Sequence, residues 1–290
     1  MTLAGVLAPV LTPFDDRLEP DLPRFLAHCR KLLANGCDGL AVFGTTSEAN
    51  SLSLEERERM LEALLKDGVD PARLMPGTGC SALPDTVRLT RKAVQAGCAG
   101  VLMLPPFYYK NISDDALFRS FAEAIERVAD PRLRIFLYHI PQVSAVPIPL
   151  TVIERLRAAY PSIVVGLKDS SGDWDNTRSI LEAFPGFRVF VGSEKFLLQN
   201  LRAGGAGCIT ATANFNAPAI ARLYAEWRSL DAERLQAEVD QVREIFQSFP
   251  LIAALKAALG WPAVRPPLLQ LTPAQQVQLL ARLGPIPYTK

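Results

Sequence analysis

Short apolar runs alternate with longer amphipathic stretches along the chain. Eight runs have the near-continuous apolar character of strands that are buried on both faces, at 5–10, 38–43, 73–77, 99–104, 134–138, 162–168, 187–192 and 206–211. Between them, apolar positions recur at helical spacing, which predicts helices over 20–35, 53–68, 81–96, 113–129, 149–159, 175–184, 194–203 and 217–230. In the second of these helices, Ser53 can cap the start together with Glu56, and Gly68 can end it.

The number and order of these elements predict the fold class. Eight strands, each followed by a helix, are the count of an α/β fold of the (β/α)₈ TIM-barrel type. An open doubly wound sheet is the alternative, but no G-x-G-x-x-G sequence follows the first strand. After residue 230 only helical patterns remain, over 231–248, 250–259 and 273–283. We therefore expect a barrel domain over residues 1–230 and a C-terminal helical extension over residues 231–290.

Composition narrows the classes of protein that the chain can belong to. The 31 basic and 30 acidic residues nearly cancel, so nucleic acid is not an expected partner. The apolar runs are too short to cross a bilayer, and the N-terminal stretch lacks the basic segment of a signal peptide. Five scattered cysteines without a C-x-x-C pair suit a cytoplasmic protein with reduced thiols. With only two histidines, far apart at positions 28 and 139, a zinc site is not expected.

Lys168 is an unusual end for the apolar run over 163–167, because a lysine seldom lies buried without a partner. It either marks the end of a strand and faces solvent, or it is a desolvated amine that acts as a nucleophile. Catalytic groups of a TIM barrel follow the carboxyl ends of its strands. The polar, aromatic and glycine residues expected at that rim are Thr12, Gly44, Thr45, Thr46, Ser47, Glu48, Tyr138, Gly192, Ser193, Glu194 and Thr210. The convergence of these residues at one rim favours the second interpretation, in which Lys168 is a nucleophile.

These residue types suit imine formation with a ketone. The amine attacks the carbonyl carbon, and the protonated imine then withdraws electrons so that a neighbouring C–C bond can form or break. Burial disfavours the ammonium form, so a lysine at the end of an apolar strand is more readily a neutral nucleophile. The phenol of Tyr138 can relay protons, and the N–H and hydroxyl groups of "GTTS" at 44–47 can hold a carboxylate. We therefore expect a 2-keto acid as substrate.

Four motifs carry a resemblance to a known family: "GTTSEANSLSLEER" at 44–57, "PPFYYK" at 105–110, "YHIP" at 138–141 and "GLKDSSGD" at 166–173. In order and spacing they resemble the dihydrodipicolinate synthase / N-acetylneuraminate lyase family of pyruvate-dependent class I aldolases, from about residue 4 to the C-terminus. The resemblance implies that Lys168 is the Schiff-base lysine and Tyr138 the acid/base tyrosine. It also implies that Thr45 and Thr46 bind the pyruvate carboxylate, with Thr45 in the proton relay.

The resemblance further implies an oligomer and additional pocket residues. Tyr108 matches a tyrosine that reaches across a tight dimer interface into a neighbour's site, although it can also be a plain interface aromatic. Ile209 matches a residue whose backbone carbonyl borders the pyruvate pocket. Gly192 and Glu194 fall where sugar-handling relatives bind substrate hydroxyls. We expect a homo-oligomer, either a dimer or a tetramer, without a metal or an organic cofactor.

Three more residues have a structural interpretation. Thr46 can be only an N-terminal cap of the segment that follows it. Cys80 ends a predicted strand, but no histidine accompanies it, so a small buried thiol is the simpler interpretation. His139 follows Tyr138 directly, so strand alternation directs it away from the barrel interior and into packing.

Val143 restricts the class of aldehyde that is expected as the second substrate. True dihydrodipicolinate synthases carry N-x-P-x-R after the tyrosine, and valine stands here in place of that carboxylate-binding arginine. A neutral or hydroxylated aldehyde is therefore expected as the partner of pyruvate, as in 2-keto-3-deoxy sugar acid aldolases. The main hypothesis is an aldolase or lyase that forms or cleaves a 2-keto-3-deoxy acid. The alternatives are a dihydrodipicolinate synthase, a keto-deoxy sugar acid dehydratase and a catalytically silent keto-acid-binding protein.

Overall fold

A computed structural model describes residues 3–284 of the chain. Within them, seven strands form one parallel sheet in the spatial order β2-β1-β7-β6-β5-β4-β3. The strands are β1 (Gly5–Ala8), β2 (Gly39–Leu40), β3 (Val101–Met103), β4 (Ile135–His139), β5 (Val164–Asp169), β6 (Arg188–Val191) and β7 (Gly207–Ile209).

The segment predicted as the strand at 73–77 closes the barrel through two single bridges. Leu74 bridges Leu40 of β2, and Gly77 bridges Leu102 of β3, both in parallel. Pro76 has no N–H group, so one bond of the ladder toward β3 cannot form. The predicted TIM barrel is therefore confirmed, with its third strand reduced to bridged backbone.

Twelve α-helices lie within residues 3–284, and none of them is long and apolar enough to span a membrane. The sequence pattern did not predict α5, which follows β4 directly. The helices are α1 (Leu22–Ala34), α2 (Leu54–Lys66), α3 (Leu83–Gln95), α4 (Asp114–Val128), α5 (Pro141–Ser144), α6 (Leu150–Ala159), α7 (Trp174–Ala183), α8 (Leu197–Arg202), α9 (Ala213–Glu226), α10 (Ala232–Gln247), α11 (Leu251–Ala258) and α12 (Pro273–Leu283).

Large side chains fill the barrel interior, so the site lies on a packed floor and not in a pore. The rings of Phe136 and Phe190 pack edge-on there, with their centroids 5.7 Å apart. Gly166 leaves room for them, because a Cβ at that position would lie 2.5 Å from a ring carbon of Phe136. The buried cluster around these rings consists of Leu7, Ala41, Met75, Leu102, Phe136, Phe190 and Ile209.

The C-terminal helices share a hydrophobic cluster with the barrel. Phe246 of α10 packs against Phe215 of α9 at 5.1 Å between ring centroids, and Leu11 belongs to the same cluster. The division at residue 230 stays a prediction, and residues 1, 2 and 285–290 of the two predicted domains lie outside the described residues.

Candidate active site

A β-bulge directs Lys168 into the barrel. Along β4 and β5, Ile135 pairs with Val164, but the next residue of β4 pairs with Gly166, so one residue of β5 is extra. Since side chains alternate between the two faces of a strand, this extra residue reverses the direction of every later side chain. Lys168 is consequently the partner of Tyr138 in the register, and both side chains lie at the carboxyl end of the barrel.

Lys168 is nearly enclosed, with 5% of its surface exposed. Its Nζ donates a hydrogen bond to the Tyr138 hydroxyl at 3.2 Å and lies 4.3 Å from the centroid of the tyrosine ring. The next residue, Asp169, holds the strand end: its Oδ2 accepts from Asn176 at 2.8 Å and from the Thr177 hydroxyl at 2.7 Å. The lysine is thus desolvated and fixed against a phenol.

The Tyr138 hydroxyl also contacts the hydroxyl of Thr45, at 3.2 Å. Lys168, Tyr138 and Thr45 therefore form one hydrogen-bonded chain that combines an amine, a phenol and an alcohol. Such a chain can pass a proton between the amine and the turn that carries Thr45. The structure brings together the three residues that were predicted as nucleophile, acid/base and relay.

The turn at 44–48 presents backbone donors beside this chain. The Gly44 carbonyl accepts from the N–H groups of Ser47 and Ala49, at 3.1 and 3.2 Å. The N–H groups of Thr45 and Thr46 donate to no group within residues 3–284. Two adjacent free N–H groups form a concave donor pair that suits a carboxylate.

A buried ion pair supports the same turn from behind. Glu48 has a left-handed φ of 56°, and its carboxylate pairs with the ammonium of Lys256 on α11. Its second oxygen accepts from the Arg265 backbone N–H at 2.8 Å. Burial lowers the pKa of Lys256, and Glu48 partly offsets that effect. The sequence pattern did not single out Lys256, although a lysine inside the apolar segment 251–258 is the same signal that identified Lys168.

A cavity of about 850 Å³ opens above these groups. Val143, on α5, is 58% exposed at its edge. The wall also includes residues of the C-terminal helices, which the sequence did not place there. The predicted site residues that line the cavity are Thr45, Thr46, Tyr138, Val143, Lys168, Gly192 and Ile209.

Three predicted site residues do not line this cavity. The Glu194 carboxylate is fully buried behind the wall, where it accepts from the hydroxyls of Thr210 and Thr212 and pairs with Arg243 at 3.3 Å. Both of its oxygens already have partners, so Glu194 does not line the cavity, and its predicted contact with substrate stays a prediction. Gly44 borders a smaller cavity that Thr45 and Tyr138 also line. Tyr108 is 72% exposed and lies outside the chain's own site.

His139 occupies a structural position, as expected, whereas Cys80 is half-buried and not the fully buried thiol that was expected. The Cys80 thiol accepts from Arg57 at 3.5 Å, and burial raises its pKa, which disfavours the reactive thiolate. His139 is buried, and its Nδ1 accepts from the Ile148 N–H at 3.1 Å. Within residues 3–284, no group of histidine, cysteine and carboxylate side chains could hold a metal ion.

Comparison with known proteins places this geometry in a family. The model of the dihydrodipicolinate synthetase family matches residues 2–284. A DapA-like lyase of Chloroflexus aurantiacus is 36% identical over 288 residues, which cover 96% of this chain and 95% of the relative.

Solved structures agree in fold. Dihydrodipicolinate synthase from Agrobacterium tumefaciens is 32% identical with a TM-score of 0.90, and the match covers 97% of this chain and 98% of that one. YagE, a prophage protein of the dihydrodipicolinic acid synthase family from E. coli K12, was solved in complex with pyruvate. It is 26% identical with a TM-score of 0.90, and the match covers 98% of both chains. The chain belongs to the dihydrodipicolinate synthetase family.

Proposed function

We propose that the protein is a Schiff-base aldolase or lyase that joins pyruvate to an aldehyde, or cleaves a 2-keto-3-deoxy acid into these two. The observation that carries the proposal is the hydrogen-bonded chain Lys168–Tyr138–Thr45, with both bonds at 3.2 Å. It combines a buried amine with a phenol that can donate and accept protons, which are the two groups that imine chemistry requires.

In the synthetic direction, the neutral Lys168 amine attacks the keto carbon of pyruvate, and the carbonyl oxygen takes a proton from Tyr138. The nitrogen, now positively charged, returns one of its protons to the Tyr138 phenolate, which leaves a neutral carbinolamine. The carbinolamine then loses water, with Tyr138 again supplying the proton to the departing oxygen. The Tyr138 phenolate takes a proton from the methyl carbon, which gives an enamine. The enamine carbon attacks the aldehyde and forms the new C–C bond, while the aldehyde oxygen takes a proton from Tyr138. Hydrolysis of the imine releases the product and regenerates Lys168. Cleavage runs through the same steps in reverse.

The turn at 44–48 orients the keto acid for this attack. The free N–H groups of Thr45 and Thr46 would bind the carboxylate, and hydrogen bonds to a charged acceptor contribute about 1.5–3 kcal/mol each. Thr45 would then contact both the carboxylate and Tyr138, so substrate binding and the proton relay share one residue. The pyruvate complex of YagE supports a keto acid as ligand.

The aldehyde partner is proposed from the cavity edge. Val143 offers no charge to a second carboxylate, so the favoured partner is a neutral or hydroxylated aldehyde. Dihydrodipicolinate synthesis, as in the Agrobacterium relative, is the second candidate function. A keto-deoxy sugar acid dehydratase, which shares the imine, and a silent keto-acid-binding protein complete the candidates.

We also propose a homo-oligomer, a dimer or a tetramer, in the cytoplasm. Tyr108 and Tyr109 stack edge-on at 5.3 Å, and both are exposed, which suits an aromatic contact with a second copy. All five cysteines are free thiols, as in a reducing compartment. Light scattering on the active enzyme tests the assembly, and a fully active monomer would remove any role of Tyr108 across an interface.

Borohydride trapping tests the chemistry. Incubation with pyruvate and borohydride, followed by intact-mass and peptide analysis, is expected to show one reduced pyruvyl adduct on Lys168. Lys168→Met should lose the adduct, whereas Lys195→Met, which removes another lysine of the cavity wall, should keep it. Tyr138→Phe should slow adduct formation by about 100-fold or more, since a positioned acid/base contributes about 10²–10⁴. An adduct that persists in Lys168→Met would refute the imine mechanism.

A further inference from the structure

Arg243, on α10, is among the residues that line the 850 Å³ cavity, and only part of its guanidinium is hydrogen-bonded. The residue is 8% exposed. Its Nη1 donates to Glu194 at 3.3 Å and to the Thr210 hydroxyl at 3.2 Å. Its Nε is buried without a partner, and within residues 3–284 its Nη2 makes no hydrogen bond, although it is not fully enclosed. One nitrogen thus remains available to a ligand in the cavity.

The bonds of Nη1 hold this guanidinium in one orientation. Glu194 is fixed by the hydroxyls of Thr210 and Thr212, and Gln236 donates to the Glu194 backbone carbonyl at 2.9 Å. Thr210 directly follows Ile209, which lines the cavity. A donor held by such a network needs little reorganisation to meet a substrate.

The charge balance of this wall indicates what kind of group Arg243 would bind. Glu194 compensates Arg243, and Glu244 compensates Lys195 at 3.1 Å. The wall therefore offers N–H donors with little net positive charge. A second carboxylate would lose its hydration without gaining an unpaired cation, whereas a hydroxyl oxygen needs only a donor.

We propose that Nη2 of Arg243 donates a hydrogen bond to a hydroxyl oxygen on the aldehyde-derived part of the substrate, which makes Arg243 a specificity-determining residue. The inference rests on the proposed aldolase function and refines its substrate class to aldehydes with a hydroxyl next to the carbonyl or one carbon further. Glu194, predicted from the sequence to bind hydroxyls itself, would act there by holding Arg243.

Rates with glyceraldehyde and with its deoxy counterpart, propanal, test this role with pyruvate as the second substrate. The wild-type enzyme is expected to have a kcat/KM at least about 10-fold higher for glyceraldehyde, because a charged donor left unpaired penalises the substrate that lacks the hydroxyl. Arg243→Lys keeps the positive charge that pairs with Glu194 but removes the second N–H donor group of the guanidinium. It should reduce this preference to about 2-fold or less. Arg234→Lys, an exposed position on the same helix, is the matched control and should leave the preference unchanged.

Borohydride trapping of pyruvate on the same proteins separates this inference from the proposed function. Normal adduct formation in Arg243→Lys, together with the lost preference, supports the role. An unchanged preference in Arg243→Lys, or no preference in the wild-type enzyme, overturns it, and the wild-type comparison decides even if the variant does not fold. A higher kcat/KM for the anionic succinic semialdehyde than for glyceraldehyde also overturns it. Absence of any adduct in the wild-type enzyme would refute the aldolase mechanism itself.

Discussion

Lys256→Met is expected to destabilise the protein through the turn at 44–48, which is proposed to bind the keto acid. The lysine side chain is fully buried, and it pairs with Glu48, donates to the Ala263 carbonyl at 2.8 Å and lies 4.2 Å above the ring of Phe14. Methionine preserves the length and the packing but removes all three polar contacts. The Glu48 carboxylate is then left with the Arg265 backbone N–H as its remaining donor.

The expected size follows from the loss of this direct ion pair. Removal of one partner of a buried ion pair costs about 3–5 kcal/mol, mainly because the other charge stays buried. Replacement of both partners by neutral groups is often close to neutral in free energy. The double variant Glu48→Gln, Lys256→Met should therefore be at least about 2 kcal/mol more stable than Lys256→Met alone.

Urea unfolding at one fixed protein concentration measures this free energy, and Lys66→Met, an exposed lysine of α2, controls for loss of a surface charge. Because Glu48 ends the turn that carries Thr45 and Thr46, the KM for pyruvate should rise in Lys256→Met and recover in part in the double variant. A double variant that is no more stable than Lys256→Met would refute the argument that the buried charge dominates the cost.

Two further predictions concern specificity and pH. Val143→Arg should raise kcat/KM for aspartate semialdehyde by about 10- to 100-fold, which corresponds to the free energy of a hydrogen bond to a charged group. Borohydride trapping of pyruvate should not change. Efficient use of this aldehyde by the unmodified enzyme would contradict the reasoning. Burial lowers the pKa of His28 from 6.5 to about 4. The contribution of His28 to the free energy of unfolding is complete above pH 6.5 and is lost as the pH falls toward about 4. In this pH range the unfolded state binds a proton at His28 and the folded state does not. The loss of unfolding free energy over this pH range, measured by urea unfolding, should reach about 3 kcal/mol. It should be smaller in His28→Gln, whose amide can still form a hydrogen bond with Asn214. An equal loss in that variant would exclude His28 as the cause.

Local pattern was enough to predict the fold and to predict which three side chains meet at the carboxyl end of the barrel. Continuous apolar runs at regular intervals predicted the barrel, and the family and its lyase class, both inferred from four motifs, are confirmed. Lys168, Tyr138 and Thr45 could be placed together because the carboxyl ends of parallel strands meet at one rim. The domain boundary and the individual catalytic roles stay predictions.

Local sequence was enough to place the carboxyl ends of the strands to within a few residues, because strand burial and alternation depend on neighbours a few positions away. The contacts of those strand ends depend on the folded chain as a whole. The bulge that turns Lys168 toward Tyr138 depends on the register of two strands. Glu48 and Lys256 are 208 positions apart, and Glu194 and Arg243 are 49 apart. No periodicity encodes such pairs, since burial of a charge becomes tolerable only when the fold brings its distant partner into contact.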